Sequence, residues 1–222
     1  MKLVRFGEPG RERPGLIDNA GRIRDISGHI SDIGGKALLP DYLTAIRRAS
    51  PGNLPIVDPG VRIGPCVAGV GKIIGVGLNY PDFVAVNEMH RLEDPLLFLK
   101  APSAISGPND DIVLAAGSTR TDWEIELAVV IGIPGHGIDV DAALDHVAGY
   151  CIVNDVSERD YVFTSSGDRS WLVNDWVRGK NYDTFAPLGP WLVTPDEMDD
   201  PLALDLWLDV DGLRRQSGNT EN

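Results

Sequence analysis

The chain is poor in the residues that most often announce a metal or redox site. Among its 222 residues are two cysteines and four histidines. Cys66 and Cys151 stand in different sequence surroundings, with no metal-ligand spacing to each other or to a histidine pair. Neither a zinc finger nor a disulfide framework is indicated. Positive charge is scarce as well: 20 Lys and Arg face 33 Asp and Glu, a formal net charge of -13. Such a balance repels nucleic acid and anionic membrane, and leaves cations and small molecules as the expected partners. No apolar run has the length of a membrane span. The opening MKLVRFGEPG places charges and a Gly-Pro break where a signal peptide needs a continuous apolar stretch, so a reduced, cytoplasmic protein is expected.

Nucleotide-binding signatures are missing too. Gly75-Val76-Gly77 follows a strand-like run, but the third glycine of a dinucleotide fingerprint would fall on Tyr80, and Pro81 follows where a helix should start. The glycines are read as making room for a tight loop. No phosphate loop of the Walker type occurs.

What is present is a succession of short strands. To about residue 68, KLVRF, PGLID and GRIRDIS alternate, PDYLTAIRRA reads as a helix, and SPGNLPIVDPGVRIGP is rich in Pro and Gly. This is read as a small β-rich N-terminal domain and linker over 1–68, followed by a second domain over 69–222. There KIIGVGLNY, PLLFLK, DIVLAA, WEIELAVVIG, CIVNDV and LALDLWLDVDG are strand candidates. DVDAALDHVAGY reads as a helix with Gly149 as its stop. The regular strand-helix alternation of a doubly wound sheet is absent, so the expected class is mainly β, or α+β.

The stretch TDWEIELAVVIG raises a question of charge. In a strand, Asp122, Glu124 and Glu126 share one face with Ala128 and Val130. A solvated face is one reading. The other is a cation site, because the carboxylates border an apolar surface and same-face neighbours lie about 7 Å apart, close enough to repel in a partly dry setting. Mg²⁺ or Mn²⁺ takes oxygen ligands, whereas the His and Cys donors usual for zinc are not at hand. Asp155, at the end of CIVNDV, is either a third ligand or an Asx turn closing its strand.

The blocks GVGLNY, PLLFLKAPSAISGP, TDWEIELAVVIG, VAGYCIVNDVSERD, WVRGKNYDTFAPLGPWLVT and GNTEN, in this order, resemble the fumarylacetoacetate hydrolase family over roughly residues 70 to 222. Within it, the look is nearest to hydrolases of 2,4-dioxo sugar acids and to acylpyruvases. The resemblance implies a mixed β-sandwich roll, a homodimer, and one Mg²⁺ or Mn²⁺ held by Glu124, Glu126 and Asp155. It also implies a 2-oxo acid substrate, an active-site lysine at Lys180, a pocket arginine at Arg159, and Asp122 beside the ligands. The same resemblance implies a water-activating His-x-x-Glu pair after the Asn-Tyr block. Here Phe83 and Val86 stand at those positions, and neither can move a proton. Val162 matches a pocket glutamine, and the segment YVFTSSGDRSWLVND is longer than in many relatives. Glu88 and His90 could form a shifted pair, but a spacing of two does not put them on one helix face, which favours an exposed His90. His29, His136 and His146 read as loop, turn and helix-surface residues. The chain ends at SGNTEN, within what the family continues as further strands, so more chain is expected beyond it.

Overall fold

The computed structural model describes residues 1–49, 51–81, 93–162 and 175–221. Among these the mainly β expectation holds, and the strands form one large sheet and three small ones. The large sheet contains β1 (Lys2–Phe6), β2 (Arg13–Ile17), β3 (Ile23–Asp25) and β4 (Ile63–Gly64) from the N-terminal part. It continues through β7 (Ile105–Ser106), β9 (Ile125–Ile131), β10 (Val147–Asn154) and β12 (Ala186–Val193). The order is β3-β2-β1-β12-β10-β9, with β4 on β1 and β7 on β12. The small sheets pair β5 (Ile73–Gly77) with β6 (Leu96–Lys100), β8 (Thr121–Asp122) with β11 (Ser157–Glu158), and β13 (Asp205–Val210) with β14 (Leu213–Asn219).

The N-terminal strands are continuous with the rest, because Leu3 of β1 registers against Leu192 of β12. One apolar core joins Leu3, Leu16, Ile26 and Ile33 to Ala148, Cys151 and Leu192. The helix expected around residue 40 is there as α1 (Pro40–Arg48), with Pro at its first position and Leu43 and Ile46 buried. Cys66 and Cys151, far apart in sequence, are both free and meet in this core; contact with Cys151, together with burial, pushes the Cys66 thiol well up. No described helix is long and apolar enough to cross a membrane.

Two expected elements differ. Residues 111–115 of DIVLAA form no strand; Val113 and Leu114 are exposed, and the Val113 amide donates to Thr184 Oγ1 rather than to a neighbouring strand. DVDAALDHVAGY is a 3₁₀ segment over Val140–His146 that passes directly into β10. Val140 and Leu144 are exposed, so the segment has no apolar face to bury, and Asp139 caps nothing with its side chain. Gly149 is no helix stop: a Cβ there would lie 2.4 Å from the Val193 carbonyl oxygen, so glycine lets β10 approach β12.

Candidate metal centre

The site begins where β9 departs from the single long strand read from the sequence. Between β8 and β9 the ladder is interrupted at Trp123 and Glu124. There Glu124 donates its N–H to Asn154 Oδ1 at 3.0 Å, and its carbonyl accepts from the Asp155 N–H at 2.9 Å. The Asn-Asp pair that ends β10 therefore does two jobs: Asn154 holds the Glu124 main chain, and Asp155 brings up its own carboxylate. Glu126 registers opposite Val153 on the same edge. The result gathers Glu124, Glu126 and Asp155, with one carboxylate oxygen of each within 4.8 Å of the others.

Lys180, Arg159 and Lys100 converge on these acids. Lys180 ends the short helix Trp176–Lys180 and is buried. Its Nζ donates to Glu124 Oε2 at 2.7 Å, to Ser157 Oγ at 2.9 Å and to Asp155 Oδ2. Arg159 donates from Nη1 to Glu124 Oε1 at 2.5 Å and from Nε to Asp122 Oδ2 at 3.0 Å. It thus braces Glu124 from behind and, among the described residues, links Asp122 to the cluster. Lys100 lies beneath, with Nζ 2.6 Å from Asp155 Oδ1.

The electrostatics distinguish the three acids. Burial raises the Asp155 carboxyl, but Lys100 and Lys180 outweigh it and hold the group below its ordinary value. Burial lowers the Lys180 ammonium, but Asp155 and Glu124 hold it above its ordinary value. Burial dominates at Lys100, which is lowered despite Asp155. Glu126 has no hydrogen-bond donor or ion-pair partner among the described residues; burial, then repulsion from Asp155 and Glu124, pushes it up to about 8. Asp155 Oδ1 is likewise buried with no aligned hydrogen bond, its contact with Lys100 being an ion pair only. An all-oxygen cluster with one carboxylate, Glu126, unpartnered among the described residues fits a hard divalent cation such as Mg²⁺ or Mn²⁺.

The three acids and Lys180 line a pocket together with Val76, Phe98, Val162 and Trp176. The rings of Phe98 and Trp176 meet edge to face at 5.2 Å, and Lys180 Nζ lies 4.8 Å from the Phe98 centroid. These rings explain Gly75 and Gly77. A Cβ on Gly75 would lie 2.1 Å from the Phe98 ring and one on Gly77 3.0 Å from Trp176, so these glycines make room for aromatics within β5 rather than forming a loop.

The expected residues Glu124, Glu126, Asp155 and Lys180 are thus brought together. Arg159 stands behind Glu124, and Val162 lines the pocket as expected. Phe83, Val86, Glu88 and His90 lie outside the described residues, as do residues 163–174 of the longer segment. Sequence reasoning passed over Lys100, Asn154, Ser157, Tyr80 and Gln216. Tyr80 Oη and Gln216 Oε1 accept the N–H groups of Leu127 and Ile125, satisfying the free edge of β9 beside the acids. A lysine closing the alternating LLFLK and a polar Asn just before Asp155 were the available signals.

Comparison with known proteins agrees with this geometry. Residues 72–222 match the model of the fumarylacetoacetate (FAA) hydrolase C-terminal family. A provisionally named hydrolase of Burkholderia multivorans is 52% identical over 220 residues, which cover 99% of this chain and 76% of that protein. Among solved structures, the fumarylacetoacetate hydrolase of psychrophilic Exiguobacterium antarcticum superposes with a TM-score of 0.78 at 32% identity, over 100% of this chain and 76% of that one. Maleylpyruvate hydrolase of Sphingobium sp. SYK-6, solved with manganese(II) and pyruvate, gives 0.72 at 29% identity, over 100% and 77%. The 5-carboxymethyl-2-hydroxymuconate delta-isomerase of Mycobacterium smegmatis gives 0.69 at 31%, over 100% and 76%. Fold, matched span and identity lead to one conclusion: this chain belongs to the fumarylacetoacetate hydrolase family.

Proposed function

We propose that the chain is a divalent-metal-dependent hydrolase that cleaves a carbon-carbon bond in a 2,4-dioxo acid, either an acylpyruvate or a 2,4-dioxo-3-deoxy sugar acid. The observation that carries this reading is the convergence of Glu124, Glu126 and Asp155 beside the Lys180 ammonium at the head of a pocket. Those three carboxylates would hold Mg²⁺ or Mn²⁺, which when bound supplies Lewis-acid polarisation of a 2-oxo acid.

In the reaction, water adds to the carbonyl carbon at position 4, and the bond between carbons 3 and 4 breaks with its electron pair passing to the pyruvate fragment as an enolate. Protonation at carbon 3 gives a pyruvate-type acid, and the other fragment leaves as a carboxylic acid. Lys180, held above its ordinary value and lining the pocket, is the fixed positive charge that favours the enolate through its field, since its three N–H groups are given to Glu124, Asp155 and Ser157. Arg159 keeps Glu124 in place, and the Phe98 and Trp176 wall lowers the dielectric around the reacting atoms. The Sphingobium maleylpyruvate hydrolase, solved with manganese(II) and pyruvate, supports both the metal and the type of product.

A second reading rests on Phe83 and Val86, which offer no proton-moving group where a lid pair is expected. Decarboxylation or enol-keto isomerisation of a 2-oxo acid needs less help from such a pair, and an isomerase stands among the similar structures. A protein that only binds a metal and an oxo acid is the limiting case. The deciding experiment adds Mn²⁺ and measures pyruvate released from a panel of acylpyruvates and 2,4-dioxo sugar acids. Release above the protein-free rate is expected. Tight Mn²⁺ and oxalate binding with no pyruvate from any panel member would overturn hydrolysis in favour of the second reading.

A further inference from the structure

Lys100 does not line the pocket, yet it is among the most buried charged side chains described, 3% exposed. It is the last residue of β6, and its Nζ donates to the Val156 carbonyl at 3.1 Å and to the Lys180 carbonyl at 2.5 Å. Those acceptors belong to separate segments: one follows Asp155 directly, the other ends the helix that carries Lys180. Two of the three N–H groups of the ammonium are taken by these carbonyls, which fixes its position, and Asp155 Oδ1 lies 2.6 Å from it as an ion pair. The corner is held from the next residue as well, since the Ala101 N–H donates to Asn181 Oδ1 and Asn181 Nδ2 donates to the Val177 carbonyl at 2.8 Å.

We propose that Lys100 is a positioning residue of the metal centre, setting the rotation of the Asp155 carboxylate so that Oδ2 is turned toward the glutamates. Oδ2 is the oxygen that shares Lys180 Nζ with Glu124 Oε2, so it lies on the glutamate side. Turning Asp155 away would take Oδ1 from a buried cation and leave the Lys100 ammonium without its counter-charge. Lys180 faces the pocket and Lys100 lies beneath the acids, so the two lysines divide the work. The inference rests on the reading of Glu124, Glu126 and Asp155 as metal ligands.

Charge alone and positioning predict opposite signs, which makes the test sharp. Removing a cation beside a Mn²⁺ site tightens metal binding if Lys100 acts only through its field. If it positions Asp155, removal weakens binding, by the 10- to 100-fold typical of groups that orient metal ligands, about 1.4 to 2.8 kcal/mol. Mn²⁺ alone is titrated calorimetrically into the parent, Lys100→Met, Lys100→Gln and Lys100→Arg, with metal-free melting temperatures recorded alongside. The Met and Gln variants should lose affinity in that range, and Arg should recover part of it. Gln retains two N–H donors without the charge, so it decides the matter if Met does not fold. Met and Gln variants that bind Mn²⁺ as tightly as the parent, or more tightly, would overturn the inference while leaving the metal centre standing. A parent that binds no Mn²⁺ overturns the metal reading and this inference with it.

Discussion

Two glutamates, on neighbouring stretches of the same corner, are buried in opposite ways. Glu158 on β11 is 1% exposed, and its carboxylate accepts from Ser118 Oγ, from Thr121 Oγ1 at 2.8 Å and from the Arg120 N–H at 3.1 Å. Glu126 on β9 has no donor among the described residues and is pushed up to about 8. The first is tied into the fold by neutral donors that leave its oxygens nothing more to bind. The second is held where its charge is costly, beside two more carboxylates. A buried acid that the chain satisfies is a structural tie, and one it leaves unsatisfied is a place for a ligand.

The strongest way to break this contrast is to exchange the predicted costs. Glu126→Ala should lose Mn²⁺ affinity by more than the ~100-fold typical of an orienting residue, and turnover with it, because a ligand itself is removed. The metal-free variant should melt no lower than the parent, since a repelled charge is gone. Glu158→Gln should do the reverse: stability falls by about 2 kcal/mol as buried donors lose an acceptor, while Mn²⁺ affinity stays near that of the parent. Calorimetry and thermal melts with a chelator check both. A Glu158 variant that loses metal as Glu126→Ala does would erase the distinction.

Next in size is Lys180→Met, which keeps the stem and removes the ammonium. If the Lys180 charge stabilises the enolate, kcat for pyruvate release falls by about 100-fold or more, the typical loss of one electrostatic stabiliser, with a smaller change in KM. A loss confined to KM would move Lys180 from the developing charge to ground-state binding.

The split between the two glutamates was only half legible in the sequence. Period-two alternation placed Glu124 and Glu126 on one face, and the apolar residues after them hinted at a rim. Ala128 and Val130 do pack against the core. What alternation could not show is the break at Glu124, which depends on Asn154 and Asp155 from a strand about thirty residues on. Local pattern also misread the 3₁₀ segment and the start of β10, residues 147–150, as one helix, because the pull on Val147 and Gly149 comes from pairing with β9 and β12. The ligand set emerged from a resemblance spread over six blocks, not from spacing. Lys100 was invisible for the same reason as Asn154: its partners are 56 and 80 residues away.

The contrast also has a pH signature. Glu126 in the metal-free fold titrates near 8 against an ordinary 4.5, so the folded state holds its proton more tightly than the unfolded chain does. Below pH 4.5 both states are protonated and the group contributes nothing. As pH rises from 4.5 to 8 the unfolded chain ionises first, and stability falls by up to about 1.4 kcal/mol per pH unit from this group. Melts in chelator across that window should show the decline in the parent and a shallower one in Glu126→Gln. Equal slopes would mean that Glu126 is solvated after all.

The smallest effect is expected at Asp122, and it tests how far the site extends. Among the described residues the Asp122 carboxylate meets the cluster through Arg159, and its side chain is 39% exposed. A carboxylate that water can reach contributes little to an ion pair, about 0 to 1 kcal/mol. Arg159 keeps its closer bond to Glu124 without it. Asp122→Asn should therefore change Mn²⁺ affinity by less than about fivefold. A loss as large as that of Lys100→Met would show that the Asp122-Arg159-Glu124 chain orients a ligand in its own right, and that exposure is a poor guide to rank around this centre.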